Sequence, residues 1–116
     1  MNAKREFVEH VRDIELASKI KCALMWVEEE WNEDIDKEML LRVGHSVEDL
    51  SRFLDTLDFD YDNGFGSQEL FGTIWYEDGT WSEREEYDGS EWWSWRKAPT
   101  LPLKIKAYKL NTAAKR

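Results

Sequence analysis

The sequence is poor in cysteine, histidine and proline, and it has no long apolar run. Cys22 is the only thiol in 116 residues, which excludes an internal disulfide and a thiolate metal cluster and suits a reducing compartment. The two histidines, His10 and His45, do not stand in a metal-ligand spacing such as HExxH. Gly-x-Ser-x-Gly, the phosphate-binding loop and the dinucleotide glycine fingerprint are all missing, so common nucleophile and nucleotide chemistries have no motif behind them. No stretch approaches the roughly 20 apolar residues of a membrane span. The opening MNAKREFVEHVRD lacks the apolar run of a signal peptide. The expectation is a cytoplasmic protein that makes no membrane contact and carries no cofactor.

Acidic residues are absent from 96 to 116, which hold seven of the 16 basic residues. Residues 1 to 95 hold the other nine together with all 25 acids, a formal charge of −16 within an overall −9. An acidic body thus carries a basic C-terminal strand or tail. The body repels phosphate backbones, so direct nucleic-acid binding is disfavoured and a basic protein surface is the better electrostatic match. Acidity can also serve only to keep a protein soluble. At this length one α+β domain over 1–116 is expected, large enough for a modest core.

What is present in quantity is tryptophan, and five of the seven fall between Asp58 and Trp95. Asp78-Gly79 and Asp88-Gly89 in that stretch are strong hairpin signals, because a type I′ turn needs positive φ at both central positions. They predict a meander pairing Tyr76 with Trp81, Trp75 with Ser82, Arg84 with Trp93 and Ser82 with Trp95. One face then carries Leu70, Ile74, Tyr76, Trp81, Tyr87 and Trp92, and the other Phe71, Thr73, Trp75, Ser82, Arg84, Trp93 and Trp95. Both faces are partly apolar. Either further elements cover both, or one aromatic face meets a partner.

Elsewhere two readings of residues 4–31 stand open. Phe7, Val11, Ile14, Ala17, Ile20, Leu24, Val27 and Trp31 recur as on one long helix. Alternatively a short helix precedes a hairpin of Lys19–Glu28 and Lys37–Val43, which Gly44 and the β-branched and aromatic content favour. Ser46–Leu57 reads as a helix, N-capped by Ser46, with an apolar stripe of Val47, Leu50, Phe53, Leu54 and Leu57. Leu101, Leu103, Ile105 and Ala107 alternate with Lys104 and Lys106 as in a guarded edge strand, or form a loose basic arm. The fold expected is α+β: an antiparallel meander sheet of four to six strands with one or two packed helices.

Chemistry is sparse. Asp58, Asp60, Asp62 and Glu69 match oxygen-ligand positions of a calcium-binding loop, but Asn63 stands where the turn needs glycine. The competing reading is a strand with Phe59 and Tyr61 inward. Glu83 and Glu85, near Trp81 and Trp92, are the carboxylates to test for an acid pair inside an aromatic pocket. Trp75, Trp93 and Trp95 could stack sugar rings. The acidic run Glu28–Glu38 would serve as a binding element if Trp31 anchors it. The partner-binding candidates are therefore Glu29, Glu30, Trp31, Glu33 and Asp34 in that run, and Trp75, Arg84, Trp93 and Trp95 in the sheet.

The cassette Glu69–Trp93, ELFGTIWYEDGTWSEREEYDGSEWW, with the Ser-capped helix before it and a proline-containing tail after it, resembles one that recurs in small, mostly uncharacterised bacteriophage-encoded proteins. The resemblance covers roughly the C-terminal half and assigns no residue a role. It implies an acidic protein acting on a host protein, for example by masking the basic nucleic-acid surface of a defence or transcription complex. A non-enzymatic binding module is thus the leading expectation, and a small carboxylate enzyme or ligand-binding domain the alternative.

Overall fold

A computed structural model describes residues 1–28, 37–62 and 67–105. Helix α1 spans Ala3–Asp13 and helix α2 Val47–Thr56. The strands are β1 (Ile20–Val27), β2 (Lys37–Leu41), β3 (Leu70–Tyr76), β4 (Trp81–Tyr87) and β5 (Ser90–Arg96). They form one antiparallel sheet in the order β2-β1-β3-β4-β5, so the fold is α+β with a meander along β3 to β5.

The first 45 residues follow the helix-plus-hairpin reading. Asn2 caps α1 by accepting a hydrogen bond from the Arg5 amide, and Ala3, Phe7 and Val11 form its buried stripe. Glu15, at φ 61°, ends the helical turn, and a short 3₁₀ turn over Ala17–Lys19 leads into β1. Ala23, Met25 and Val27 of β1 point inward and pair through β2 with Leu41, Met39 and Lys37. In α2 the Ser46 hydroxyl accepts from the Asp49 amide while the Asp49 carboxylate accepts from the Ser46 amide, a reciprocal cap.

The two Asp-Gly turns differ, and the difference sets which face each tryptophan occupies. Asp88 and Gly89 both have positive φ, 51° and 84°, and the two-residue turn gives the expected register of Arg84 opposite Trp93. At the other turn only Gly79 has positive φ. Asp78 instead accepts from both the amide and the hydroxyl of Thr80, and the Tyr76 amide donates to the Thr80 carbonyl. The loop holds three residues, so Trp75 sits opposite Trp81, not Ser82. That shift of one residue exchanges the faces of β4 and β5 relative to β3. The face assignment expected from the sequence is corrected accordingly.

Both helices lie on one side of the sheet. Their cover seals Leu70, Ile74, Tyr76, Ser82, Arg84, Glu91 and Trp93, along with Phe7 and Phe53. Phe7 meets Phe53 and Trp93 edge-on, at centroid distances of 5.6 and 5.8 Å. Met1, Ala3 and Tyr61 tie the N-terminus to residues 59–61 through backbone hydrogen bonds, and Asn2 bridges Asp60. Leu101–Ile105 form no edge strand: Pro102 cannot donate an amide, its carbonyl accepts from Ile105, and Leu103–Ile105 make a helical turn.

Candidate functional site

The other side of the sheet is covered by no described element. Its residues follow from register: Leu40 on β2; Cys22, Leu24 and Trp26 on β1; Phe71, Thr73 and Trp75 on β3; Trp81, Glu83 and Glu85 on β4; Trp92, Ser94 and Arg96 on β5. Trp26 and Phe71 stack nearly parallel, 5.6 Å apart and 6° off. Trp75 and Trp92 are about two-fifths exposed, and Leu24, Trp26, Phe71 and Trp81 partly so. Trp26 with Phe71 and Trp75 with Trp81 make two aromatic pairs on this face, and clustered apolar surface marks a contact more often than scattered exposed side chains do.

Carboxylates interrupt this face: Glu83 stands between Thr73 and Ser94, and Glu85 opposite Trp92. The Arg96 guanidinium contacts Glu83 through Nε at 2.6 Å and Glu85 through its Nη2. Glu83 and Glu85 are 39% and 28% exposed. Both are half-buried and held by the Arg96 guanidinium. A cavity of about 350 Å³ lies elsewhere, beside β2 and α2, with Glu38, His45, Asp49, Arg52 and Phe53 in its wall.

Arg84 and Trp93, expected at a partner contact, are interior. Arg84 is 8% exposed and Trp93 7%. The register change turns both toward α1, where Arg84 donates to Glu6 at 2.8 Å and to the Tyr61 hydroxyl at 2.8 Å, and pairs with Glu91 at 3.4 Å. Its guanidinium also lies 5.2 Å from the centre of the Trp93 ring. Glu91 in turn accepts from the Glu69 and Leu70 amides. This buried ionic cluster ties α1, β3, β4 and β5 together. Of the other sheet candidates, Trp75 lies on the open face, and Trp95 is exposed although its register is that of the inner side. Glu29, Glu30, Trp31, Glu33 and Asp34 lie outside the described residues.

A second interior cluster has the makings of a nucleophile and base but not the access. His10 Nε2 lies 2.7 Å from the Ser82 hydroxyl, which lies 2.7 Å from the Tyr76 hydroxyl. Ser82 is fully buried, so no substrate reaches it. Burial lowers the His10 pKa, the nearby Arg84 charge adds to that, and Asp13 opposes both. Burial pushes the Tyr76 phenol up to about 12.

Of the calcium-loop candidates, Asp58, Asp60 and Asp62 are exposed and Glu69 is half-buried. Asp58 accepts from the Asn2 side chain and Glu69 from the Asp62 amide, while Tyr61 is buried and Phe59 packs on the core. Among the described residues no three acids, histidines or cysteines group as a ligand set. No described helix is long and apolar enough to cross a membrane.

Sequence reasoning placed Phe71 on the face of Trp75 but named neither it nor Trp26 as a partner-binding residue. The signal was available: both sit at even spacing in adjoining strands, so the β1–β3 pairing puts them side by side. Compared with protein-family models, curated proteins and solved structures, the chain finds no match.

Proposed function

We propose that the protein is a non-enzymatic binding module that meets a basic protein surface through its open sheet face. The observation carrying this reading is the placement of Trp26, Phe71, Trp75, Trp81 and Trp92 on the side of the sheet that no described element covers, in a body with formal charge −16. Large rigid aromatics supply desolvated anchors, and surrounding acids speed encounter and select against acidic partners. The partner fitting that chemistry is a host nucleic-acid-binding protein. The module would act in the host cytoplasm as a phage-encoded inhibitor of a defence or nucleic-acid-handling complex.

The test is capture from host lysate at low and at high salt, with native protein and with Trp75→Ser and Trp92→Ser. A specific partner should be retained at low salt, released as salt screens the charges, and lost in both variants. Recovery of nothing at low salt, or of a partner indifferent to both variants, sinks the reading.

A further inference from the structure

We propose that the free edge of β2 pairs with the same edge of a second copy, in an antiparallel two-fold contact centred on Leu40 that joins the two sheets into one. The contact is separate from the open aromatic face and stands or falls without it. An unguarded edge, a space beside it and a self-complementary sequence support the second copy as occupant.

β2 is the outermost strand of the sheet, and no described strand pairs with its far side. Exposed edges are commonly blunted by a lysine, a proline or a bulge. Residues 38–42 read Glu-Met-Leu-Leu-Arg, with neither lysine nor proline, and the register with β1 runs unbroken as far as Leu41. Leu40, at the middle of this run, is 45% exposed.

The space is the cavity of about 350 Å³, which touches every residue from 38 to 42 and, across from them, Phe53 and Thr56 of α2. Side chains of a strand alternate between its two faces, and β1 occupies the other edge. A cavity that meets five successive residues therefore runs along the free edge, where an added strand lies. With α2 as its far wall, it admits the inward side chains of that strand between β2 and the helix.

The edge also matches itself. A two-fold axis through Leu40, perpendicular to the sheet, sets Leu40 opposite its own copy, Met39 opposite Leu41 and Glu38 opposite Arg42. Met39 and Leu41 are both buried on the inner face, Glu38 and Leu40 lie on the open face, and Arg42 continues that alternation. Apolar pairs thus meet under the helices, and two ion pairs form on the opposite side. Moving the axis to Met39 or Leu41 sets Glu38 opposite Leu40 or Gly44 and loses both ion pairs. Within the chain, neither the Glu38 nor the Arg42 side chain has an ion-pair partner among the described residues. The other edge strand, β5, offers no such match, since its one acid, Glu91, is buried on Arg84. The dimer presents the open faces of both copies on one side of a single sheet.

The test is sedimentation equilibrium of the full chain at about 0.15 M salt, where repulsion between two acidic bodies is screened beyond roughly 8 Å while side chains in contact are screened less. So short a strand contact belongs with the small, weak interfaces, and a Kd on the order of 0.1 mM is expected, read over about 0.01 to 1 mM. Glu38→Arg and Arg42→Glu, each checked for native circular dichroism, put like charges opposite each other twice and should each raise the Kd by about tenfold or more. An equimolar mixture of the two variants restores opposite charges at both pairs and should regain the native affinity, as should the double variant Glu38→Arg, Arg42→Glu. A native chain that stays monomeric throughout overturns the proposal and leaves the edge to a partner's strand. A dimer that survives both single variants, or that the mixture fails to restore, also overturns it; if Trp75→Ser dissolves that dimer, the contact is the aromatic face.

Discussion

Arg84 is the residue on which the interior electrostatics turn. Its side chain is 1% exposed and serves two carboxylates, Glu6 and Glu91, from opposite sides. Removing the cation takes the counter-charge from both acids, and breaking a buried pair from one side costs about 3–5 kcal/mol. Arg84→Met should therefore shift urea unfolding by that order while Glu83→Gln, on the open face, should barely move it. Equal effects of the two would contradict the burial described. The His10 cluster gives a pH signature at the same scale. Folding lowers the His10 pKa, so the unfolded chain binds more protons. The associated stability is complete above the ordinary value of 6.5 and is lost as pH falls from there through the lowered folded value. Tyr76 acts at the other end: stability falls as pH rises from the ordinary 10 toward about 12. Urea midpoints from pH 8 to 5 should decline, and His10→Gln should flatten that decline.

At the scale of elements, the close approach of β1 and β3 depends on Gly72. A Cβ there would sit 2.6 Å from both the Leu24 carbonyl oxygen and the Met25 side chain, on backbone at φ 153° that side chains rarely adopt. Gly72→Ala should cost about 1–3 kcal/mol in thermal or urea unfolding. Gly79→Ala meets no atom and suffers only from its φ of 85°, so about 1 kcal/mol is expected. Much at this scale was legible beforehand. Ser46 and the apolar stripe behind it announced α2, and Asp88-Gly89 announced its turn and register. Asp78-Gly79 misled because an aspartate can either adopt positive φ or bond forward to its neighbours, and here the Thr80 hydroxyl and amide favour the second. One residue of loop then decided the faces of seven others. The interior position of Arg84 was not legible, since alternation alone reads a charged residue outward. Its partners Glu6 and Tyr61 lie 78 and 23 residues away.

At the scale of the whole molecule, the described residues make a one-sided sandwich: a sheet with two helices on one face and tryptophan on the other. Side chains left two-fifths exposed cost less to lose than sealed aromatics. Trp75→Ser and Trp92→Ser should each change stability by no more than about 0.5 kcal/mol, while Phe7→Ala, fully buried, should lose about 3–5 kcal/mol. Denaturant titrations of the three variants check this. If the open-face variants proved as damaging as Phe7→Ala, that face would belong to the core and the binding reading would lose its surface. Net charge sets the conditions under which binding is visible, because attraction between a −16 body and a basic partner fades once the Debye length drops well below 10 Å.

The single sealed indole among the described residues, Trp93, has an optical consequence. Indole emission moves to the red as its surroundings become wetter, so Trp93 contributes the blue component and Trp75, Trp92 and Trp95 the red. Unfolding should then erase the blue edge of the spectrum, whereas occupation of the sheet should pull the red edge inward. One cuvette can thus tell a molecule that has come apart from one that has found something to hold.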